Sequence, residues 1–356
     1  MPRTGPRPNE APVGADRIGT GQWHTWAEVP AAPPEFGKFF LDIFAGTARL
    51  TNTMRTHGWQ CLPPIELETN EEVLQGTDLL ELDFGAKVRR WLNSGVVRLV
   101  HFGTPCTTYS QARRDDGGPR PLRSTEHIRG LPGLTKDEQE YTDMGTALME
   151  ATCSLIRCMH STCHWTIENP AGSMLWITPE LKNLAAEQGS HRVEYDCCAF
   201  GCEYRKPSAL LCSAAAFCTV SRTCPGTTTV HRHLELTGKE WNVHLKRMVY
   251  KTKRAQEYPW ALCTAYAEAA GTLQPRQHGS CAAGAPELGA DLNAPEHADK
   301  NAPSFKMTVP AHERKRALGT DYTKKDHRQK KTAAQAVAAG TQMKKRRSAA
   351  PPENGV

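Results

Sequence analysis

The sequence predicts an α/β protein built on a mostly parallel, doubly wound sheet. Short apolar runs of strand length end abruptly in glycine or proline, and stretches of helical period separate them. Chemically capable residues stand just after the breakers, and open α/β sheets present functional groups at the carboxyl ends of their strands. The clearest case is Val96 to Phe102, an apolar run that breaks at Gly103-Thr-Pro105 and is followed at once by Cys106.

Taken in order, residues 1–35 are rich in Pro, Gly and Ala and read as a disordered leader, with Trp23 and Trp26 unplaced. Phe39 to Phe44 is the first strand and carries one acid, Asp42. It breaks at Ala45-Gly46 and continues as a helix, Ala48 to His57. A glycine turn between strand and helix lets backbone N–H groups approach a nucleotide cofactor, although an ordinary βα connection has the same outline. Trp59 to Leu67 is a second strand, kept short or at an edge by Pro63-Pro64 because proline removes ladder donors. Glu66 follows Gly46 by 20 positions, the distance at which nucleotide-binding folds grip a ribose diol. Asp78 to Asp83 then leads into a helix, Gly85 to Asn93.

Beyond Cys106, a polar, glycine-rich segment carries Arg113, Arg114, Arg120, Arg123 and Arg129. It reads as a mobile cover that contacts phosphates, with a plain solvated loop as the alternative. Glu138 to His160 is helical by period. A short strand from His164 ends in Glu168-Asn169-Pro170 and so puts a carboxylate at a strand tip. Thr178 to Glu187 is a helix with Pro179 at its start, His191 to Asp196 and Ser208 to Cys212 are strands, and Tyr258 to Ala270 is a helix closed by Gly271. Residues 213–257 show no clear pattern. Their Cys218, Cys224, His231, His233 and His244, with Cys197, Cys198 and Cys202, are the ingredients of a structural zinc site, but the spacing matches no CxxC pair and no metal is assigned.

Charge and composition bound the partners. The net charge of +6 belongs to residues 271–356, which carry +7 and leave the rest near −1. Residues 272–356 are expected to form a disordered basic tail that contacts nucleic acid or directs nuclear import. Lys344-Lys-Arg-Arg347 resembles a nuclear localisation signal, and a merely solubilising tail is the alternative. There is no run of about 18 apolar residues and no hydrophobic N-terminal segment, so neither a membrane span nor a signal peptide is expected. The 13 scattered cysteines read as reduced thiols rather than a disulfide framework.

In combination, Leu41-Asp-Ile-Phe-Ala-Gly46, Gly103-Thr-Pro-Cys106 and Glu168-Asn169 resemble the cofactor, nucleophile and Glu-Asn motifs of the cytosine-5 DNA methyltransferase family. Phe200-Gly-Cys-Glu-Tyr-Arg205 and Tyr258-Pro259 are similar, more loosely, to its later motifs. The resemblance implies a Rossmann-like class I methyltransferase fold over residues 36–271, with about 206–257 as a reduced target-recognition region. It also implies S-adenosylmethionine as cofactor, lined by Asp42, Phe44, Gly46, Glu66, Asp78 and Pro105. Phe44 would pack on the adenine, Glu66 would hold the ribose hydroxyls and Asp78 the adenine amine.

The same resemblance implies that Cys106 attacks C6 of a cytosine flipped out of the duplex, making C5 nucleophilic. Glu168 would hydrogen-bond N3 and the exocyclic amine, and Arg205 would orient Glu168 or the base O2. Arg113, Arg114, Arg120 and Arg123 would lie in the closing loop against DNA. The chain departs from the family pattern at Thr107, in place of glutamine, at Pro170, in place of valine, and at Lys206, in place of a second arginine. The chain is expected to act as a monomer on DNA in the nucleus. The same chemistry would serve RNA, and a catalytically silent nucleic-acid-binding module of the same fold is a further reading.

Overall fold

Alternation along the strands decides where the helices go. In the first strand, β1 (Phe39–Ile43), Phe39, Leu41 and Ile43 point into one apolar cluster and Phe40 into another. A strand buried on both faces must be covered on both faces. The structure, a computed structural model, describes residues 23–35, 37–114, 119–242 and 246–274.

After β1 the chain forms α1 (Arg49–Thr56), β2 (Gln60–Cys61), α2 (Leu82–Asn93), β3 (Val97–Phe102), α3 (Lys136–Cys158) and β4 (His164–Pro170). It continues through α4 (Pro179–Gln188), β5 (His191–Asp196), β6 (Pro207–Cys212), a small pair β7 (Lys239–Asn242) and β8 (Arg247–Tyr250), and α5 (Trp260–Gly271). The central sheet has the order β2-β1-β3-β4-β6-β5, parallel throughout except for β6, which runs against both neighbours. Residues of α2, α3 and α4 cover one face; α1, α5 and the turn of 3₁₀ helix at Ala215–Val220 cover the other. The expected α/β class and mostly parallel sheet are therefore present.

Local chemistry sets the element ends. Helix α3 begins in a capping box, with Thr135 accepting from the Glu138 N–H and Glu138 reaching back to Thr135. Pro63-Pro64 limit β2 to two residues at the sheet edge, and Ile65 rejoins β1 only as an isolated bridge to Ile43.

Two boundaries differ from the sequence reading. Residues 23–35, expected in the disordered leader, pack against α2. Trp26 is buried against Phe84, and its indole N–H donates to the Pro63 carbonyl at 2.9 Å. Lys87 holds the carbonyls of Trp26 and Val29, at 2.8 and 2.5 Å. Burial of large aromatics outweighs the Pro-rich composition here. At the start of 206–257, expected as a reduced target-recognition region, β6 belongs to the main sheet as an inner strand, and β7-β8 later in that range form a separate small sheet. The basic tail beyond Gln274 and the first 22 residues lie outside the described residues.

The order β2-β1-β3 puts a topological switch point between β1 and β3, since the chain steps from β1 to one side and returns on the other. Ligands of open α/β sheets bind in the crevice at the strand ends there. The two strand ends meet closely: the Gly103 N–H donates to the Ile43 carbonyl at 2.9 Å. A Cβ at Gly103 would lie 2.7 Å from the Phe44 carbonyl oxygen and 3.1 Å from the Tyr258 hydroxyl.

Removing the indole that anchors the N-terminal segment is expected to be costly. Trp26→Ala should lower unfolding free energy by about 3–5 kcal/mol in urea titrations. A change under about 1 kcal/mol, typical of a surface substitution, would show that this segment is not part of the folded core.

Candidate active site

Strand β3 delivers Cys106 through Gly103-Thr104-Pro105, and β4 delivers Glu168 beside it. One side chain ties the two tips together. Buried Asn169 donates from Nδ2 to the Thr104 carbonyl at 2.6 Å, while its Oδ1 has no hydrogen-bond partner among the described residues. The sequence named Asn169 only as part of a motif.

The Glu168 carboxylate has positive or donor groups on both oxygens. The Tyr258 hydroxyl donates to Oε2 at 3.2 Å, and the Lys206 ammonium lies 3.5 Å from Oε1. Both side chains of the ion pair are largely buried, Lys206 19% and Glu168 9% exposed. Burial works against the Lys206 charge, but Glu168 with the Cys197 and Cys106 thiols beside it leaves its pKa raised on balance. Arg205, expected to orient Glu168 or the base, is directed elsewhere. Its Nε donates to Asp196 Oδ1 at 3.0 Å, and its side chain is 54% exposed. Lys206 takes the place expected of Arg205.

A buried chain of polar groups continues behind Glu168. Tyr258 also meets His101 Nε2 at 3.0 Å; His101 Nδ1 meets Thr166 at 2.8 Å; Thr166 meets the Tyr266 hydroxyl at 2.7 Å. Burial depresses the His101 pKa to about 3, so the ring is neutral. With the Tyr258 proton directed to Glu168, His101 donates from Nε2 and accepts at Nδ1, and Tyr266 starts the chain. Register makes this possible: Asp42 pairs with His101 and His101 with Thr166, so all three face α5. Asp42 is buried, and burial lifts its carboxyl to about 7 against a hydrogen bond from Thr51. It braces α1 rather than facing the strand ends.

The Thr104-Pro105 turn leaves Cys106 half-buried. Burial pushes its thiol above the ordinary value, the Lys206 ammonium pulls it down, and the Glu168 carboxylate pushes it up again. The nucleophile candidate thus sits between two opposite charges.

At the end of β1, Phe44, Gly46 and Ala48 all have left-handed backbone, with φ of 61°, 56° and 54°. Such conformations at Phe44 and Ala48 cost of order 1–3 kcal/mol each and concentrate at functional sites. Glu66 holds this turn. Its Oε2 accepts from the Gly46 N–H at 2.9 Å and its Oε1 from the Leu67 N–H, the Glu68 backbone adds a further hydrogen bond, and burial raises its pKa against all three. Asn70 closes the turn from the other side through the Gly46 carbonyl. Thr77 donates to the Glu66 carbonyl, and the Asp78 carboxylate next to it accepts from Leu80. The acceptors and the open turn are of the kind that holds a ribose and an adenine amine.

The arginine-bearing segment is not the free cationic cover that composition suggested. Arg123 is buried over the Tyr109 ring at 3.9 Å and donates to the carbonyls of Ile128 and Thr142. Arg120 forks onto both oxygens of Glu138, and Arg129 pairs with Glu150 and Glu180. Arg113 donates to the Arg120 carbonyl and lies over Tyr141. Arg114 is exposed. Internal acids and carbonyls therefore engage Arg113, Arg120, Arg123 and Arg129, while Arg114 stays on the surface, and residues 115–118 lie outside the described residues. No protein-family model and no curated protein matches this chain.

Among residues the sequence reading did not place, Lys206, His101 and the Tyr258 hydroxyl complete the site. Alkylation of Cys106, followed by peptide mass spectrometry against pH, reads their charges directly. Lys206→Met should shift the profile to higher pH and slow the reaction at neutral pH by roughly two- to tenfold. Glu168→Gln should shift it to lower pH. Coincident profiles in the three proteins would mean that neither charge reaches the thiol.

Proposed function

We propose that the protein is an S-adenosylmethionine-dependent methyltransferase of cytosine C5 in DNA, acting through a covalent bond from Cys106 to C6. The supporting observation is convergence. A thiol at the tip of β3 and a carboxylate at the tip of β4 share the Lys206 ammonium, next to a strained glycine turn at the switch point. The six-stranded, mostly parallel sheet is compatible with this reading but common to many chemistries.

When bound, the cofactor supplies an electrophilic methyl group on a sulfonium. Phe44, Gly46 and Glu66 would hold it, with Asp78 at the adenine amine. Cys106 acts as the thiolate: its lone pair forms the bond to C6, and the ring electron pair moves to make C5 nucleophilic. Glu168 hydrogen-bonds N3 and the exocyclic amine and shares a proton with N3, which limits the charge pushed into the ring. Lys206 stabilises the thiolate before attack and the carboxylate beside it, and Tyr258 keeps Glu168 aimed at the base. Once C5 is methylated, its proton would pass to water, and the C5–H electron pair would restore the C5–C6 double bond and expel the Cys106 thiolate.

The internal pairing of Arg120, Arg123 and Arg129 leaves DNA contact to other surfaces. Residues beyond Gln274, with their net positive charge, are the proposed source, and nuclear localisation through Lys344 to Arg347 belongs to the same proposal.

Incubation with S-adenosylmethionine and duplex DNA bearing 5-fluorocytosine is expected to give a denaturant-resistant adduct, because fluorine blocks the final elimination. Cys106→Ala should abolish it and Lys206→Ala should slow its formation by more than tenfold. An adduct on RNA alone would move the substrate to RNA. Cofactor binding with no adduct on either polymer would overturn the enzyme in favour of a silent binding module.

A further inference from the structure

On the far side of the Asp196 carboxylate from Arg205, four side chains converge. Cys198 lies in the turn of 3₁₀ helix, Cys197–Phe200, that follows β5, and Cys224, His231 and His233 come from the irregular chain between β6 and β7. Their ligand atoms all lie within 4.8 Å of one another. We infer that Cys198, Cys224, His231 and His233 form a structural zinc site.

The distances favour a shared ion. Cys224 Sγ lies 3.4 Å from His231 Nε2 and 3.5 Å from His233 Nε2, and the two Nε2 atoms are 3.0 Å apart. A tetrahedral Zn²⁺ with ordinary Zn–S and Zn–N bonds has S···N edges of about 3.6 Å and N···N edges of about 3.3 Å. Cys224, His231 and His233 are therefore close to the edges of such a tetrahedron, and Cys198 Sγ lies within 4.8 Å of each of them. Hydrogen bonding explains the geometry less well. Two neutral imidazoles placing Nε2 against each other and against one sulfur have too few protons to satisfy every contact. Two thiolates and two imidazoles are a donor set that selects zinc among common divalent ions.

The surroundings are those of a ligated thiolate. Gly226 donates its N–H to Cys224 Sγ at 3.3 Å, and Thr227 Oγ1 is 3.4 Å from His233 Nδ1, the ring nitrogen not facing the cluster. Asp196 Oδ2 accepts the Cys224 N–H at 2.8 Å, and Thr228 pins the His231 backbone. Residues 221–238 contain no helix or strand, and backbone bonds from the Asp196 N–H to the Arg222 carbonyl and from the Leu234 N–H to the Glu203 carbonyl tie them down on either side of the cluster. A metal clip between those ties would contribute further folding energy. The His-x-His pair and widely separated cysteines hide the site from spacing rules written for paired CxxC ligands.

The test uses the full chain, purified with reductant and without added chelator. Elemental analysis should find a single zinc ion per chain. Cys224→Ser, or His233→Ala, should lose it to a weak chelator at least tenfold more readily than wild type, whereas Cys218→Ser, an exposed thiol outside the cluster, should retain it. Should the ligand variants fail to fold, cobalt replacement in the wild-type chain decides. Tetrahedral visible bands with thiolate charge transfer of two sulfurs are expected. Octahedral cobalt, zinc content unaffected by Cys224→Ser, or a Cys198–Cys224 disulfide in place of metal would each overturn the site.

Discussion

The Tyr258 hydroxyl is the interaction on which the candidate site depends. It donates to Glu168, receives from His101 and stands over Gly103, so it joins the start of α5 to the tips of β3 and β4. These groups come from distant parts of the chain and none is well exposed. Losing one member of such a buried chain leaves its neighbour unsatisfied, at about 1–3 kcal/mol each. The network therefore constrains more than Glu168. It fixes the neutral tautomer of His101, requires Thr166 opposite it and, together with the Phe44 carbonyl, leaves no room for a side chain at Gly103 just past β3.

That constraint explains which parts of the fold were legible in the sequence. The strand ends at Gly46, Cys106 and Glu168 are marked by breakers that any reader of apolar runs can see, and α3 announces itself by period. The polar members of β1, β3 and β4 were not legible as a group. Asp42, His101 and Thr166 are far apart in sequence, and only strand register aligns them on one face. A single histidine in an apolar run carries no sign of what it faces. The N-terminal Trp26 was hidden for a different reason, since proline-rich composition describes the average of a segment and not its one anchoring side chain.

The arginine segment shows the limit of composition most clearly. Positive charges count toward a polyanion only if they are not already paired, and pairing is a tertiary fact. Glu138, Glu150 and Glu180 lie on α3 and α4, so the charge of Arg120 and Arg129 is neutralised locally, while Arg123 has exchanged solvent for an aromatic ring and carbonyls. The same segment then serves to fasten the Cys106 turn to α3, through Arg123 and Thr108.

The exchange of roles between Arg205 and Lys206 follows from the backbone. The Cys197 N–H donates to the Lys206 carbonyl, which extends the β5–β6 ladder one step beyond Pro207. In a strand-like approach, neighbouring side chains point to opposite sides. Asp196, whose carboxylate also holds the Cys224 N–H, claims Arg205 on one side, and Lys206 must then turn to the other, toward Glu168 and Cys106. A lysine suits that buried position if its role is a point charge between a thiol and a carboxylate, whereas the planar fork of an arginine suits paired acceptors. The segment that gathers Cys198 and Cys224 thus also determines which cation reaches the candidate site, so the charge beside the Cys106 thiol rests on the order of a loop remote from it.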